Sequence, residues 1–552
     1  MKGITLHPGD IFGGITAGIV ALPLALAFGV QSGLGAAAGL YGAIAVGILA
    51  AFFGGTATQI SGPTGPMTVV SAAVIASLIA LKGDLASALP SILLCFMLAG
   101  FFQILLGLTG AGKYIKYIPY PVVSGFMTGI GVIIIVLQLF PMLGHISPGN
   151  IIDIFKNLGT PLSDINFYAL LLAALSIAII YLFPKITKAI PSVLVALIIV
   201  SLIPIFIPMD VRIIGDIPSG LPAIRLELFS AFGRLDMIIL SALTLAALGT
   251  IDSLLTSVVA DNITRTTHNS NKELIGQGIG NMGSALIGGI PGAGATMRTL
   301  VNIRAGGKSK VSGVIHGLVL LLILLGLGKF ASQIPLPVLS GILITVGIGI
   351  IDTRGIKHLR KVTRVDAVVM IIVLVLTVFV DLLQAVAAGM IISSVLFMKR
   401  VGDISQEQSV STIDGDEEVS GALHDAYAIP EEIQKYVSIK QINGPLFFGN
   451  NDYFHVLSQQ ISSTSKVLLI DMRLVPYIDQ SGLYTMENIV LHLEQKKIQV
   501  FLLGLQTQPK DMMKNINLIP DLVDEGSIHT DPVASVAAIT AYINEKLKSG
   551  KD

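Results

Sequence analysis

The chain has 552 residues, of which 53% are hydrophobic and only 13% are charged, and its formal net charge at pH 7 is zero. Soluble domains carry roughly 25% charged residues, so this composition indicates a membrane protein. A neutral chain lacks the basic surface that nucleic-acid binding requires. The single cysteine, Cys95, excludes an internal disulfide and any metal site built from several cysteines.

Fourteen apolar segments before residue 400 are candidate membrane spans, because a spanning helix needs about 20 mainly apolar residues. The N-terminus lacks the basic start and the cleavage site of a secretory signal, so we expect the first segment to be a retained span. The segments lie near residues 11–31, 36–54, 64–81, 89–109, 118–142, 167–183, 190–208, 236–257, 273–289, 292–303, 312–328, 335–351, 366–381 and 383–398.

Lysine and arginine predict the orientation, since short cytoplasmic loops carry an excess of both. With the N-terminus inside, these residues collect in the cytoplasmic loops, and an even number of spans returns the C-terminal tail to the cytoplasm. We therefore expect a multi-pass protein of the inner (plasma) membrane with both ends in the cytoplasm. The basic residues concerned are Lys113, Lys116, Lys185, Lys188, Arg265, Lys272, Arg304, Lys308, Lys310 and those from Arg354 to Arg364.

Two spans are interrupted by Gly and Pro at matching positions. The third begins in ISGPTGPMTVV (60–70), and the tenth, which is too short to cross a membrane, begins in IPGAGATMRT (290–299). Seven spans precede residue 215 and seven follow it, so the two halves lie in opposite orientations. Interrupted segments at corresponding positions of inverted halves indicate a transporter site. We predict a transmembrane transport domain at 1–400 with inverted repeats at about 10–210 and 230–398. Two kinked packing helices are the alternative.

The two interruptions predict an anion site near the membrane midplane. A helix N-terminus carries unpaired N–H groups and about half a positive charge, so two facing N-termini can bind an anion without a dedicated cation. Arg298 either adds a full charge behind its helix N-terminus or extends to the cytoplasmic interface. The anion-binding candidates on the two helices are Thr64, Gly65, Met67, Thr68, Ala295, Thr296, Met297 and Arg298.

Asp252 lies deep in the eighth span, where a carboxylate is costly and is usually functional. Thr256 follows one turn later on the same helix face. With unwound backbone carbonyls these oxygens suit a sodium ion. Proton coupling through Asp252 and a purely structural pair with Arg298 are the alternatives. Near the inner surface, we expect Asp261 to pair with Arg265.

The sequence carries no pattern typical of an enzyme. Residues 278–283 (GIGNMG) fit a dinucleotide-binding pattern, but they follow no strand and lie in an apolar span, so we interpret them as close helix packing. No nucleophile–histidine–acid cluster and no ATP-binding loop is recognisable. We therefore expect no catalytic residues and no cofactor, and we expect transport to depend on ion gradients.

The charged C-terminal part predicts a separate soluble domain. From about residue 434, strand-like and helix-like segments alternate, which is typical of an α/β module. Residues 479–482 (DQSG) are expected to open a helix directly after a strand. We predict a linker at 401–433 and the soluble domain at 434–548.

With these residues in view, the chain resembles the SulP family of anion transporters over essentially its whole length. The motifs that carry the resemblance are GDIFGGITAGIVALPLALAFG (9–29), ISGPTGPMTVV, LGTIDSLLTS (248–257), PGAGATMRT (291–299) and a C-terminal STAS-type domain. Within the family, PTGPMT, IDSLLT, SNKELIGQGIGN and PGAGATMRT are similar to the sodium-dependent bicarbonate transporters of the cyanobacterial type.

The resemblance implies a helical membrane fold with a core and a gate, seven plus seven inverted spans, elevator-like alternating access and a homodimer. It places Thr64 and the aromatic Phe28 in the anion site. Leu24 stands where animal members have glutamine, so their chloride or sulfate specificity does not transfer simply. Gln480 replaces the phosphorylated serine of soluble STAS relatives, which argues against a phosphoswitch there. The implied sodium site consists of Asp252, Thr256, Gly294, Ala295 and Thr296.

The leading hypothesis is a secondary active transporter for a small inorganic anion, most simply a sodium-dependent bicarbonate symporter of the elevator type. Proton-coupled transport of sulfate or a dicarboxylate is the runner-up. An anion channel, and a sensor with the STAS domain as output, are hypotheses from other classes. The expected partners are the anion, sodium or protons, the lipid bilayer and a second copy of the chain.

Overall fold

The computed structural model describes residues 7–148, 151–187, 190–215, 220–380, 382–408, 410–411, 417–447, 461–462 and 464–548. The chain divides into two compact units, residues 1–393 and 394–552. Lys188, one of the basic loop residues, lies outside the described residues.

The first unit is built from helices, as expected for a chain of this composition. Its N-terminal half contains α1 (Pro8–Ser32), α2 (Ala36–Phe53), α3 (Gly65–Lys82), α4 (Leu85–Leu108), α5 (Tyr120–Leu137), α6 (Leu139–Met142), α7 (Ile151–Lys156), α8 (Gly159–Ser163), α9 (Phe167–Leu182) and α10 (Ser192–Phe206). Its C-terminal half contains α11 (Ile239–Thr264), α12 (Ser270–Leu286), α13 (Thr296–Arg304), α14 (Lys310–Ala331), α15 (Leu336–Ile350), α16 (Thr353–His358) and α17 (Arg364–Phe379). The next helix, α18 (Leu382–Gln408), continues into the second unit.

Each of the fourteen predicted spans contains a helix of the structure. Within the described part of the chain, eight helical segments are long and apolar enough to cross a membrane, and three shorter helices are also apolar. The tenth predicted span corresponds to α13, which has only 9 residues. The short helices α7, α8 and α16 were not predicted. The total of fourteen spans and the inverted orientation of the halves remain predictions.

The helices of the first unit form two groups. Helices α1, α2 and α4 pack against α11, α12 and α14, which come from the other half of the chain. Helices α5, α9 and α10 pack against α15 and α17 in the same way. Each group therefore combines helices from both halves.

Glycines permit the close helix contacts of the first group. A Cβ built on Gly280 would lie 3.1 Å from the Val46 Cα of α2, and Gly278 faces the backbone of Gly100 in α4. At such distances only glycine fits without displacing the neighbouring backbone. The interpretation of residues 278–283 as helix packing is thus confirmed.

A two-stranded ladder joins the two interrupted segments. Strand β1 (Ser61–Gly62) pairs antiparallel with β2 (Ala293–Gly294). Beside this ladder, the Ala295 N–H donates to the Ile60 carbonyl at 2.8 Å, and the Ile60 N–H donates to the Thr299 hydroxyl at 3.0 Å. Helix α3 begins three residues after β1 and α13 two residues after β2, so the ladder brings the two helix N-termini together.

The second unit is an α/β domain with a five-stranded sheet in the order β3-β4-β5-β6-β7. Strand β3 is antiparallel to β4, and the other neighbours are parallel. The strands are β3 (Val410–Ser411), β4 (Val437–Asn443), β5 (Val467–Leu474), β6 (Gln499–Leu503) and β7 (Ile528–His529). The helices that follow α18 are α19 (Glu417–Ala426), α20 (Gln480–Gln495), α21 (Thr507–Asn515) and α22 (Pro532–Lys548).

Successive apolar side chains of the strands point to opposite faces of this sheet, and both faces are covered by helices. Leu468 and Ile470 pack in a cluster with α20, whereas Leu469 and Phe501 pack in a second cluster with α22. Asp479 accepts a hydrogen bond from the Gly482 N–H at 2.7 Å and caps α20, as predicted for the DQSG turn.

The second unit begins earlier than residue 434, the predicted start of the soluble domain. The described part of the segment 401–433, predicted as a linker, contains the end of α18 and the helix α19. Leu423, Tyr427 and Ile429 from this segment are buried in the cluster that also contains Leu469. Their apolar side chains complete one face of the sheet, so this segment belongs to the folded unit.

Candidate ion-binding site

The N-termini of α3 and α13 lack side-chain caps. Thr64 and Ala295 occupy the two N-cap positions in extended conformations, and neither side chain accepts a bond from its own helix. The first intrahelical bonds run from the Thr68 N–H to Thr64 O and from the Thr299 N–H to Ala295 O, both at 2.9 Å. The N–H groups in the first turn of a helix have no carbonyl one turn earlier to bond. Each helix therefore presents donors that an anion can use.

The Thr64 hydroxyl instead points at the carboxylate of Asp252, the predicted sodium ligand. Its Oγ1 donates to Asp252 Oδ2 at 2.7 Å, and the Asp252 residue is only 8% exposed. A threonine hydroxyl has one proton, so this bond leaves Thr64 unable to donate elsewhere. The N-terminus of α3 is therefore attached directly to the carboxylate of α11.

The other predicted sodium ligands lie together one turn further along α11. The Thr256 hydroxyl donates to the Gly294 carbonyl at 3.0 Å and lies 2.7 Å from the Thr296 hydroxyl. Ser253, which was not predicted, accepts the Gly294 N–H at 3.1 Å. A carboxylate, two hydroxyls and a backbone carbonyl form an oxygen-rich set, and these residue types fit a sodium ion.

Arg298 is buried, at 1% exposed, and does not extend to the cytoplasmic interface. Its Nη2 donates to the Pro63 carbonyl at 2.5 Å, in the turn that precedes α3. Among the described residues, Asp252 and Arg298 form no ion pair within 4.0 Å. The interface position and the direct structural pair, both considered from the sequence, are therefore wrong. Arg298 of α13 instead supports the turn that precedes α3.

The remaining anion-binding candidates differ in how deeply they are buried. Met67 and Thr68 are fully buried in the first turns of α3, and Phe28 is buried in α1, which packs on both α3 and α13. The Met297 side chain is 66% exposed, so it does not join this cluster and only its backbone N–H remains a candidate. At Gly65, a Cβ would lie within 2.9 Å of side chains from α5 and α15, so these helices pack directly on the start of α3.

The predicted pair of Asp261 and Arg265 is not formed. The Asp261 carboxylate accepts bonds from the His268 N–H at 2.9 Å, from His268 Nδ1 at 2.7 Å and from the Thr266 hydroxyl at 3.0 Å. Arg265 adopts a left-handed conformation with φ of 55° at the end of α11. The chain reverses there, and residues 266–268 fold back onto Asp261.

Sequence reasoning missed the buried acid that supports the ladder. Glu273 of α12 is 2% exposed. Its carboxylate accepts hydrogen bonds from the segment that precedes β1 and from its own helix. The donors are Gly55 N, Thr56 N, Gln59 Nε2 and Gln277 Nε2, at 2.7–2.8 Å. Gln277 Nε2 also lies 2.6 Å from the Ser61 hydroxyl in β1. The available signal was a Glu and a Gln one turn apart at the start of an apolar segment.

Comparison with known proteins agrees with this architecture. The model of the sulfate permease family matches residues 8–373, and that of the STAS domain matches residues 428–530. A bicarbonate transporter, BicA, from Picosynechococcus sp. is 43% identical over 516 residues, which cover 92% of this chain and 91% of the relative. BicA from Synechocystis sp. is 43% identical over 527 residues, which cover 95% and 92%.

Solved structures share the fold. The transmembrane domain of a cyanobacterial BicA superposes with a TM-score of 0.64 at 50% identity, covering 69% of this chain and 98% of that one. The murine anion transporter Slc26a9 in its inward-facing state superposes with a TM-score of 0.81 at 21% identity, covering 98% and 92%. These relatives are transporters, and the chain is not an enzyme. With its helical membrane unit and its C-terminal STAS domain, the chain belongs to the sulfate permease family of anion transporters.

Proposed function

We propose that the protein couples the uptake of bicarbonate to the entry of sodium. The observation that carries this proposal is the hydrogen bond from Thr64 to Asp252, because it connects the N-terminus that would bind the anion with the carboxylate that would bind the cation. The two relatives named as bicarbonate transporters, each 43% identical over nearly the whole chain, support bicarbonate as the anion.

The geometry suggests how one ion assists the other. The Asp252 charge lies beside the start of α3 and opposes the binding of an anion there. A sodium ion held by Asp252, Thr256, Gly294 and Thr296 neutralises this charge. The N–H groups of both helix N-termini, and the buried positive charge of Arg298, then act on the anion without this opposition. Sodium binding therefore strengthens anion binding, and linkage requires the reverse effect as well.

The transport cycle we propose is an elevator movement. The group that contains α1–α4 and α11–α14 would carry both ions, and the group around α5, α9, α10, α15 and α17 would form the gate. Packing that is more extensive within each group than between the two groups supports this division. We also propose seven plus seven inverted spans, a homodimer, and a position in the plasma membrane with the N-terminus and the STAS domain in the cytoplasm.

Uptake into proteoliposomes tests the function. Purified protein would be supplied with labelled bicarbonate, sulfate or fumarate, each with and without inward gradients of sodium and of protons. Saturable bicarbonate uptake that requires the sodium gradient supports the proposal. The sulfate arm is needed because a relative from Bacillus subtilis, 33% identical over 522 residues, is named a putative sulfate transporter. Proton-driven sulfate or fumarate uptake, flux that does not saturate, or no flux at all would each contradict it.

A further inference from the structure

Helices α13 and α14 are connected by a direct polar contact near the turn between them. The Asn302 side-chain amide of α13 donates to the Ser312 hydroxyl of α14 at 2.8 Å. Arg298 lies one turn before Asn302, and His316 lies one turn after Ser312. Since α13 runs towards the turn and α14 runs away from it, Arg298 and His316 each lie one turn deeper than this contact.

Arg298 and His316 flank the same strand. A Cβ built on Gly62 of β1 would lie 2.9 Å from Arg298 Nη1 and 3.3 Å from the Ala43 Cα. A Cβ built on Gly47 would lie 2.9 Å from His316 Nδ1 and 3.4 Å from the Ser61 carbonyl oxygen.

Both side chains therefore lie where α2 meets β1, Arg298 on the side of Ala43 and His316 on the side of Gly47. Ala43 and Gly47 are separated by about 6 Å along α2, at 1.5 Å per residue. One water oxygen can bridge two polar atoms up to about 6 Å apart, since each of its hydrogen bonds spans about 2.8–3.0 Å.

Several polar atoms that are buried here have no hydrogen-bond partner among the described residues. Arg298 Nη1 and both ring nitrogens of His316 are buried and have no partner among the described residues. Leaving a buried donor or acceptor unpaired is costly, and more so where the group is charged. Buried polar groups in proteins are satisfied by protein or by ordered water, and a buried water typically makes two to four hydrogen bonds. Arg298 Nη1, a His316 nitrogen and the Ser61 carbonyl oxygen supply three partners.

We infer that a buried water molecule bridges Arg298 Nη1 and the His316 imidazole, and that His316 is a positioning residue of the anion site. The guanidinium is planar and rigid, so fixing Nη2 on Pro63 and Nη1 on the water sets its orientation behind the start of α3. The functional part of this inference rests on the proposed anion site; the water site itself does not.

Transport kinetics test the positioning role, with the anion that the wild-type protein carries in the uptake panel. His316→Leu removes the water's partner, and we expect it to raise the KM for the anion about tenfold while kcat and the sodium affinity measured at saturating anion change little. His316→Asn and His316→Gln place an amide near the positions of Nδ1 and Nε2, and we expect at least one of them to restore the KM. Ser312→Ala, which breaks the neighbouring contact between the same helices, is the matched control and should keep the wild-type KM.

An unchanged KM in His316→Leu, or an equal increase in Ser312→Ala, would overturn the positioning role. A high-resolution structure of the full-length protein tests the water site independently of any substrate. Density for a water within hydrogen-bonding distance of both side chains is expected, and a direct contact or a dry separation would refute the site. If the wild-type protein carries another anion, the proposed function fails but both tests still apply. If it carries none, the positioning role fails with the anion site, and the density still decides the water.

Discussion

The Thr64 hydroxyl donates a 2.7 Å hydrogen bond to the Asp252 carboxylate across 188 positions of sequence. One partner occupies the N-cap of α3 and the other lies in the middle of α11. The Thr64 hydroxyl points at the carboxylate and accepts no bond from its own helix, so the helix N-terminus lacks the side-chain cap that Thr commonly provides. The same contact thus leaves the helix donors exposed to a ligand and places a negative charge beside them.

Replacing Thr64 tests the anion half of the site. We expect Thr64→Val to raise the half-saturating bicarbonate concentration about tenfold, because the valine keeps the shape but releases Asp252 from its donor. The measurement is initial uptake rate against bicarbonate concentration in proteoliposomes, with size-exclusion profiles to verify folding. Thr109→Val, at the exposed end of α4, is the control and should behave as wild type. Unchanged affinity in Thr64→Val would move the anion away from the start of α3.

Replacing Asp252 tests the coupling. We expect Asp252→Asn to abolish the stimulation of uptake by sodium, because the neutral amide preserves size but removes the charge that a cation neutralises. The measurement is bicarbonate uptake at a series of sodium concentrations, together with binding of labelled sodium to the purified protein. A variant that retained both uptake and its sodium dependence would contradict a coupling role for this carboxylate.

The hydroxyl pair of Thr256 and Thr296 allows a double-mutant test. The two oxygens lie 2.7 Å apart, so removing either one also changes the surroundings of the other. We expect Thr256→Val and Thr296→Val each to raise the half-activating sodium concentration about fivefold, and the double variant to fall clearly short of the product of the two effects. Independent, multiplicative effects would contradict the expected coupling between the two hydroxyls in sodium binding.

The STAS domain offers a prediction about pH and stability. Burial lowers the pKa of Lys440 in β4 from 10.5 to about 8. Between these values the unfolded state binds more protons than the folded state, so the free energy of unfolding should rise as pH increases from about 8 to 10.5. Lys440→Met should remove this rise and stabilise the domain at pH 7 by up to about 3 kcal/mol. Calorimetry of the full-length protein at several pH values measures both effects. Equal pH dependence in wild type and variant would show that the ammonium group is not desolvated.

The sequence predicted the membrane helices well, since the length of an apolar run reports directly on burial in lipid. The position of Asp252 in an apolar run, with Thr256 one turn later, singled out this carboxylate, and the family resemblance implied that Gly294 and Thr296 lie beside these two residues, where the structure places them. The network of Glu273 was missed, since its partner Gly55 lies 218 positions away and no local pattern pairs them. The predicted partner of Asp261 was wrong for a local reason: the left-handed residue Arg265 reverses the chain and brings His268 to the carboxylate instead.

The short ladder between β1 and β2 has a consequence for the proposed transport cycle. Separating the two strands inside a dry interior would leave backbone N–H and C=O groups without partners, at a cost of several kcal/mol. In the proposed transport cycle, the N-termini of α3 and α13 would therefore move together, and the proposed ligands of both ions would keep their mutual distances. Release of the ions in that cycle would depend on which side of the membrane the two N-termini face, and the ladder itself would stay intact.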